Sequence, residues 1–402
     1  MKVLALGGCG DMGRMAVAIL LESGLISHIT VADKNYSNAS TFIDLVDSNK
    51  LSAVQIDVNN RLELKSVISK HDIVINTVGP FYKFGDKILK ATIEAYKPYL
   101  DICDDWKPTL EMLNLNDKAK NEGITAIIGI GASPGITNLM SLLACSELDE
   151  IDEIVTAWGM GQTKMGKKPK YFIKEKTFYK NIKKPNVAAN AAIMHFFYET
   201  LGEIPTYKEG EIIYIKSLSE APPVQFPGFK QAFACHIGHP EPITLPRTIK
   251  VKSVSNVMFL GKKPTDIVRE FREKISKKII TIEEASIEMA KQISKLRRNP
   301  LIIKEFINYP PETCVIVTGL KKGIKKQLAI GCYRNPYGEM AGDTGVPLAI
   351  ATQMLLDGEI KKKGVLSPEE AINPELFFNK YAKFCGRNLT AEDILIKRTI
   401  NL

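Results

Sequence analysis

Three glycines near the start of the chain are the clearest candidates for binding chemistry. Gly8, Gly10 and Gly13 form a G-x-G-x-x-G pattern directly after a predicted strand and at the start of a predicted helix. In this pattern Gly8 permits a tight turn, Gly10 lets the backbone approach a pyrophosphate, and Gly13 allows close packing of helix on strand. The first N–H groups of the helix would bind the anion. We therefore expect these glycines, with Asp11 and Met12, to bind a dinucleotide.

Charged residues that follow the second and third predicted strands should decide which dinucleotide binds. Asp33 closes the second strand, where its carboxylate would accept hydrogen bonds from ribose hydroxyls and favour NAD. Lys34 would instead neutralise a 2′-phosphate and favour NADP, so the sequence leaves both cofactors open. Asp57 ends the third strand and is either an adenine contact or an ordinary loop acid.

Two loops are expected to border the reactive end of the cofactor, because ligands of open α/β sheets lie beyond the carboxyl ends of the strands. One follows the fourth predicted strand, and the other follows the sixth. The expected cofactor contacts in these loops are Thr77, Val78, Gly79, Pro80, Gly131 and Ser133. The expected substrate contacts are Phe81, Pro134 and Gly135.

Groups that could exchange a proton during catalysis are few. Asp101 ends the fifth predicted strand and Tyr82 follows the fourth, although a loop-capping role for Asp101 and a packing role for Tyr82 are equally reasonable. His236 and His239 are two of only five histidines, and histidine titrates near neutral pH. We treat these four residues as the catalytic candidates.

Other residues near the two histidines suit substrate binding better than metal binding. Glu241 and Arg247 are the expected substrate contacts, since a guanidinium can bind a carboxylate with two hydrogen bonds. A metal site built from His236, His239 and Glu241 or Cys235 is disfavoured, because proline and glycine replace the helix that normally presents such ligands. We assign no metal ligand.

The elements that must position these residues alternate between strand and helix over the first 150 residues, as in a doubly wound parallel sheet. The predicted strands are Val3–Leu6, His28–Ala32, Ala53–Ile56, Ile73–Asn76, Tyr99–Ile102 and Ile124–Ile128. The predicted helices are Met12–Ser23, Arg61–Lys70, Asp86–Ala95 and Thr109–Asn121. The fold class is therefore α/β, with an N-terminal Rossmann domain.

After residue 150 the regular alternation of strand and helix ends, and the sequence predicts a second domain. Residues 151–339 read as an α+β domain for substrate binding and dimerisation, with a mixed or antiparallel sheet. Its predicted strands are Glu153–Trp158, Glu211–Lys216, Thr248–Val254, Thr313–Thr318 and Gln327–Tyr333, with one helix at Ile282–Leu296. Residues 340–402 read as a C-terminal helical segment, including a helix at Val346–Asp357, that returns to complete the Rossmann domain.

Composition excludes several classes of protein. The chain has 402 residues, 45% of them hydrophobic and 25% charged, which excludes wholesale disorder. The seven cysteines are widely spaced, so their spacing indicates neither a disulfide framework nor a CxxC motif. We expect a cytoplasmic homodimer. The uncharged segment 124–146 is interrupted by glycine and proline, so a membrane span is not expected.

Much of the net charge of +9 comes from one segment of the chain. Nine lysines lie between Lys164 and Lys184 against one acid, with aromatic residues among them. A nucleic-acid surface would look similar, but no nucleic-acid-binding motif accompanies these lysines. We interpret the segment as a solvated part of an enzyme that acts on a small molecule.

Several motifs together resemble one known family, the saccharopine dehydrogenase-like oxidoreductases. The motifs are Thr77–Phe81, Tyr99–Asp101, Gly129–Asn138, Thr344–Pro347 and Gly364–Glu369. The resemblance covers the first 150 and the last 60 residues, and Pro134–Asn138 is its most specific part. It implies hydride transfer between NAD or NADP and a carbon that bears nitrogen.

The function expected from this resemblance is oxidation of the C–N bond of an amino acid or opine-like secondary amine, or reduction of the imine. The substrate is left open, because the middle of the chain matches no single characterised member. We expect the substrate to lie between the domains, against His236–Glu241. The alternative is a dinucleotide-binding sensor or scaffold without catalysis, since a fold alone does not prove chemistry.

Overall fold

The computed structural model describes residues 1–161, 163–181, 191–296 and 306–402, so the last lysines of the lysine-rich segment lie outside the described residues. The chain forms two compact units, each assembled from three segments. The first unit contains Met1–Leu139, Met165–Lys184 and Arg334–Ile394. The second unit contains Met140–Lys164, Pro185–Tyr333 and Leu395–Leu402.

The strands are numbered in chain order. They are β1 (Lys2–Leu6), β2 (His28–Asp33), β3 (Leu51–Gln55), β4 (Ile73–Asn76), β5 (Tyr99–Asp101), β6 (Thr125–Ile127), β7 (Glu150–Gly159), β8 (Lys164–Met165), β9 (Glu203–Lys208), β10 (Glu211–Lys216), β11 (Glu220–Val224), β12 (Ala232–His236), β13 (Val251–Phe259), β14 (Thr313–Lys321), β15 (Ile324–Cys332), β16 (Arg334–Asn335), β17 (Gly364–Leu366) and β18 (Leu395–Asn401).

The described helices are numbered in the same way. They are α1 (Asp11–Leu21), α2 (Tyr36–Val46), α3 (Arg61–Ser69), α4 (Phe81–Glu94), α5 (Trp106–Leu113), α6 (Asn116–Asn121), α7 (Ile136–Cys145), α8 (Glu175–Asn181), α9 (Ala191–Glu199), α10 (Glu241–Thr244), α11 (Lys262–Ser276), α12 (Ile282–Leu296), α13 (Met340–Leu356), α14 (Pro368–Ala371), α15 (Pro374–Cys385) and α16 (Ala391–Ile394). None of the described helices is both long and apolar enough to cross a membrane.

The first unit is built on a parallel sheet of seven strands in the order β17-β6-β5-β4-β1-β2-β3. The order reverses between β1 and β4, which places a crevice at the carboxyl ends of these strands. The central strands are buried on both faces, as expected for a sheet covered by helices. This is the predicted doubly wound α/β fold, completed by the C-terminal segment.

The structure corrects some predicted elements of the first unit. Helix α2 was not predicted, because its serine, asparagine and threonine residues lower helix propensity. It forms because the Asn35 side chain accepts a hydrogen bond from the N–H of Ser37, and because Phe42 is buried. The predicted helix Thr109–Asn121 is two helices, α5 and α6. Helix α4 begins at Phe81, five residues earlier than predicted.

The second unit is built on a mixed sheet of nine strands. Seven follow the order β10-β9-β13-β7-β14-β15-β18, and β11 and β12 extend from β13. The β13–β7 pair is parallel and the other pairs are antiparallel. One face of the sheet carries an apolar core that contains Phe197, Met258 and Phe271. The predicted mixed sheet is therefore confirmed.

In the second unit one predicted strand has the wrong bounds, and helix α11 was not predicted. The strand predicted at Thr248–Val254 is β13, which runs from Val251 to Phe259, because Leu245–Arg247 forms a turn of 3-10 helix before it. Helix α11 was missed because most of its residues are charged. Its apolar residues Val268 and Phe271 are buried against the core and hold the helix in place.

Candidate functional site

The glycine pattern forms a tight turn between β1 and α1 in the first unit. Gly7 adopts a φ of +71°, so the left-handed residue of the turn is Gly7, which lies just before the G-x-G-x-x-G pattern. A Cβ on Gly8 would lie 2.8 Å from the Cβ of Ala5, and a Cβ on Gly13 would lie 2.5 Å from the Gly7 oxygen. These two positions must therefore remain glycine for close packing. Gly10 is less crowded, with the Gly7 oxygen 3.2 Å from its would-be Cβ.

Helix α1 begins immediately after this turn, and its N-cap residue Gly10 offers no side chain to cap it. The first N–H groups of a helix have no partner within the helix, and they lie at the positive end of its dipole. These features suit an anion such as a pyrophosphate. Asp11 and Met12 supply the first backbone groups of the helix.

Arg14 stabilises the glycine turn through hydrogen bonds and was not identified from the sequence. Its guanidinium is buried, donates to the carbonyl oxygen of Cys9 at 2.7 Å, and pairs with Asp11. The same group donates to the carbonyl oxygen of Ile173 at 3.3 Å and lies 4.4 Å from the ring centre of Phe178. Arg14 therefore fastens part of the lysine-rich segment onto the glycine turn within the first unit.

A cavity of about 300 Å³ lies at the carboxyl ends of the first four strands. Seven of the predicted cofactor residues line it, namely Gly10, Asp33, Lys34, Asp57, Thr77, Val78 and Gly79. It is also lined by Leu6, Gly7, Ala32, Ile56, Val58, Asn59 and Phe84, which were not predicted. Gly8, Asp11, Met12, Gly13, Pro80, Gly131 and Ser133 are not among the lining residues.

The carboxylate of Asp33 lines the cavity and already accepts two hydrogen bonds. One oxygen of Asp33 accepts the N–H of Asn35 at 2.8 Å, and the other accepts the thiol of Cys9 at 2.9 Å. Burial raises the pKa of the Cys9 thiol, and the negative charge of Asp33 raises it further. The thiol therefore stays protonated and remains a hydrogen-bond donor. Since a carboxylate has about four acceptor positions, capacity remains for ribose hydroxyls.

Lys34 and Asp57 form an ion pair of 3.2 Å at the same cavity, and the Lys34 side chain is 78% exposed. The Asn59 N–H and Lys34 hold the pKa of Asp57 below its usual range. Two carboxylates and one ammonium thus line the cavity, an excess of negative charge. This excess of negative charge disfavours binding of the 2′-phosphate of NADP.

The loop after β4 is held in place by hydrogen bonds of two polar side chains. Asn76 is fully buried and accepts the N–H of Val78 at 2.9 Å, while the hydroxyl of Thr77 donates to the carbonyl oxygen of Gly7 at 3.0 Å. Phe81 and Tyr82, predicted as loop residues, lie in the first turn of α4. Phe81 is buried, and its ring borders Gly85.

Asp101 is fully buried at the end of β5 and makes three hydrogen bonds. It accepts the N–H groups of Cys103 at 3.0 Å and Gly129 at 2.8 Å, and the hydroxyl of Tyr99 at 2.8 Å. Burial raises its pKa to about 6, against the lowering effect of these donors. The carboxyl group therefore ties the loops after β5 and β6 together, which favours a positioning role over proton exchange.

We expect Asp101→Ala to lower the free energy of unfolding by about 2–4 kcal/mol, because it leaves two buried N–H groups and a hydroxyl without their acceptor. Asp86→Ala removes a partly exposed carboxylate that pairs with Lys90 and should cost less than about 0.5 kcal/mol. Urea unfolding measures both. Equal stability of the two variants would contradict the positioning role of Asp101.

The loop after β6 folds back on itself. The Gly131 N–H donates to the carbonyl oxygen of Pro134 at 2.9 Å, and Gly135 adopts a φ of +121° with a would-be Cβ only 2.2 Å from the Gly131 oxygen. Asn138 accepts the N–H of Gly135 at 2.8 Å and donates to Glu369 at 2.8 Å. Two motifs far apart in sequence are thus joined by a buried hydrogen bond.

The second unit contains a group of ionisable residues that are buried except for the partly exposed His195. We call this group the His–Glu cluster: His195, Glu199, His239 and Glu241. One oxygen of Glu199 lies 2.9 Å from Nε2 of His195 and 3.3 Å from Nε2 of His239. The other ring nitrogen of His239 lies 3.8 Å from Glu241. Only His239 and Glu241 in this cluster were among the predicted site residues.

The environment of the cluster favours charged groups. Burial acts to raise the pKa of Glu199, but His239 and His195 outweigh it and lower the pKa to about 2. The ring of His239 stacks on Trp158 with 5.4 Å between ring centres. Asn256 donates to Glu241 at 3.0 Å. The cluster can therefore hold a histidine ring in one orientation and stabilise its charged form.

The other residues considered in the second unit lie on other elements. His236 belongs to β12, and burial lowers its pKa. Cys235 accepts a hydrogen bond from Arg269 at 3.3 Å and packs in the apolar core. Arg247 is exposed at the end of a short 3-10 helix. Glu199 was missed because no motif marks it; its position four residues after His195 on a helix is the signal that could have found it.

Comparisons with known proteins agree with the geometry of the first unit. The family description "Saccharopine dehydrogenase NADP binding domain" matches residues 3–127, and "Saccharopine dehydrogenase C-terminal domain" matches residues 304–385. The NADP(+), L-glutamate-forming saccharopine dehydrogenase of Schizosaccharomyces pombe is 23% identical, with 89% of this chain and 94% of the relative covered. The carboxynorspermidine synthase of Vibrio cholerae is also 23% identical, with 94% of each chain covered.

A solved structure shows the same fold. The apo, L-Glu-forming saccharopine dehydrogenase of Saccharomyces cerevisiae matches with a TM-score of 0.61 and 16% sequence identity, over 99% of both chains. The likeness at this level of identity concerns the fold, including the parallel sheet and the second, mixed sheet.

Proposed function

The chain belongs to the saccharopine dehydrogenase family of NAD(P)-dependent oxidoreductases, and we propose that it acts on the C–N bond of an amino acid or an opine-like secondary amine. The reverse reaction would reduce the corresponding imine. The observation that carries the proposal is the cavity at the carboxyl ends of β1 to β4, next to a glycine turn that has no room for larger residues at Gly8 and Gly13.

The residues around this cavity suit a nicotinamide dinucleotide, which supplies or accepts the hydride when bound. The uncapped start of α1 would bind the pyrophosphate, and Asp33 would bind the adenosine ribose. Thr77, Val78 and Gly79 would form the wall beyond β4. Glycines at positions 7, 8 and 13 keep the turn compact enough for this contact.

Proton exchange with the substrate nitrogen is assigned to His239. Its ring is held by Glu199 and Trp158, and a buried histidine beside carboxylates is a frequent proton-transfer group. Glu199 acts as a positioning residue that orients the ring and stabilises its charged form. His236, Tyr82 and Asp101 are the less favoured candidates. The substrate contacts of Glu241, Arg247, Phe81, Pro134 and Gly135 remain predictions.

The function can be tested with purified protein by following nicotinamide absorbance. We expect turnover with at least one member of a panel that contains lysine, saccharopine and polyamine-derived amines, with NAD and NADP tested separately. Cofactor binding without turnover on any member would support the alternative of a non-catalytic sensor or scaffold. The homodimer and the cytoplasmic location stay predictions.

We further propose that NAD binds more tightly than NADP, although the relatives from fungi are named for NADP. Asp33→Ala should weaken NAD binding by about 1.5–3 kcal/mol, because charge-assisted hydrogen bonds to the ribose are lost. NADP binding should weaken less, since the same change removes a repulsion. Calorimetric titration with both cofactors measures the two affinities.

Lys34→Ala is the matched control for this prediction, since it changes the neighbouring residue and the opposite charge. It should weaken NADP more than NAD. Equal losses of both cofactors in Asp33→Ala would mean that Asp33 does not contact the ribose.

A further inference from the structure

Helix α1 carries a buried charge directly behind the glycine turn. The guanidinium of Arg14 is always ionised, yet only 1% of the side chain is exposed. A buried charge is costly unless an opposite charge and hydrogen bonds compensate for it. Residues three apart on a helix lie on the same face, and the structure pairs Arg14 with Asp11. The compensating carboxylate is therefore that of the first residue of α1.

The position of Asp11 makes its charge important for the cofactor. Asp11 is the first residue of α1, and its backbone N–H is among those that would bind the pyrophosphate. Its carboxylate is attached to the same residue and is 28% exposed, so without compensation it would repel the phosphates. Asp33 and Asp57 already give the cavity an excess of negative charge over Lys34. A further uncompensated carboxylate would oppose the binding of any dinucleotide.

The guanidinium of Arg14 is fixed in position beside Asp11. It donates to the carbonyl oxygens of Cys9 at 2.7 Å and Ile173 at 3.3 Å, and it lies 4.4 Å from the ring centre of Phe178. An arginine can make these contacts together because its five N–H groups lie in one rigid plane. The positive charge is thus held next to the Asp11 carboxylate.

We propose that Arg14 is a positioning residue for the dinucleotide, which binds and neutralises the Asp11 carboxylate so that the start of α1 can accept a pyrophosphate. This inference rests on the proposed cofactor site. In it Arg14 contacts Asp11 and the glycine turn, and it acts on the phosphates through them. Its effect should be the same for NAD and NADP, because both contain the pyrophosphate.

The role of the charge can be tested with two substitutions of similar length. Arg14→Met and Arg14→Lys both remove the planar guanidinium, but only lysine keeps the positive charge. In calorimetric titration at low salt, the dissociation constant of NAD should be about tenfold or more higher for Arg14→Met than for Arg14→Lys. The difference should narrow in about 1 M salt, where charges are screened beyond about 3 Å.

A second substitution separates charge from packing. Asp11→Asn removes the repelling carboxylate and keeps the backbone N–H. Added to Arg14→Met, it should bring the dissociation constant of NAD to within about threefold of that of Arg14→Lys. Asp11→Asn alone should tighten NAD binding by about twofold or more, because the charge of Arg14 is then no longer neutralised. This last variant keeps Arg14, so it tests the proposal even if Arg14→Met does not fold.

Three results would each overturn the proposal: equal affinities of Arg14→Met and Arg14→Lys, a difference that salt does not change, or no recovery when Asp11→Asn is added. Arg14 would then serve only to pack the turn. Weaker NAD binding by Asp11→Asn alone would also overturn it. Thermal unfolding identifies the variants that are folded before titration. If the unmodified chain binds neither NAD nor NADP, the proposed cofactor site fails as well, whereas normal binding with indistinguishable variants removes this inference alone.

Discussion

Gly10→Asp is expected to abolish binding of NAD and NADP while the second unit stays folded. The backbone of Gly10 lies at the cavity and at the start of α1, where a pyrophosphate would bind. A carboxylate there places like charge beside the phosphates, and we expect affinity to fall by at least about 100-fold. Calorimetric titration measures the loss. Hydrogen exchange in the second unit's sheet should be unchanged.

Gly10→Asn is the control that separates charge from bulk. Gly10 has a φ of −70°, which any residue adopts, and a Cβ there would be 3.2 Å from the Gly7 oxygen. Asparagine has nearly the same shape as aspartate but no charge, so it should weaken binding far less. Unchanged affinity in Gly10→Asp would remove the glycine turn from the cofactor site.

His239→Asn is expected to have the largest effect on turnover. If His239 exchanges the proton, turnover should fall by about 10²–10⁴-fold while cofactor affinity stays the same. One limb of the pH–rate profile between roughly pH 6 and 8 should disappear. His236→Asn is the control, because His236 belongs to β12 and not to the His–Glu cluster. An unaltered pH profile in His239→Asn would transfer the role to His236, Tyr82 or Asp101.

Glu199→Gln tests whether the carboxylate acts through His239. Glutamine keeps the shape of the side chain but cannot stabilise a charged histidine, so the limb of the pH–rate profile assigned to His239 should shift to lower pH. Glu199→Asp should restore part of the unmodified profile. A uniform loss of activity at every pH would indicate that Glu199 only supports the packing of α9.

The same carboxylate should make stability depend on pH. The pKa of Glu199 is lowered from 4.5 to about 2 in the folded chain, so the folded state binds the proton less readily than the unfolded state. Its contribution to stability is therefore present above about pH 4.5 and is lost as the pH falls toward 2. In Glu199→Gln this part of the acid destabilisation should be absent from unfolding curves.

The first unit could be predicted well because its signals are local. The six strands before residue 130 are short and largely apolar, and the glycine pattern lies where one of them meets a helix. The predicted family membership is confirmed by the matching domains. Strand β17 was missed because three residues carry little pattern, and its pairing with β6 joins residues far apart in sequence.

The interactions that hold the site together were harder to predict. Nothing in the sequence shows that Arg14 is buried or that it contacts Ile173, since both facts depend on how a distant segment folds back. The pairing of Glu199 with His239 likewise joins a helix to a loop forty residues later. Asp101 was identified as important, but its role could be judged only when its three hydrogen-bond donors were located.

The return of the chain to the first sheet has a consequence for biosynthesis. Strand β6 ends at Ile127, and its partner β17 begins only at Gly364. At about 5–20 residues per second, a ribosome needs roughly 10–50 s to make the intervening chain. During that time the nascent sheet has an open edge at β6, whose residues are buried in the finished protein. Folding of the first unit must therefore finish late, and we expect the growing chain to need chaperone protection until β17 has left the ribosome.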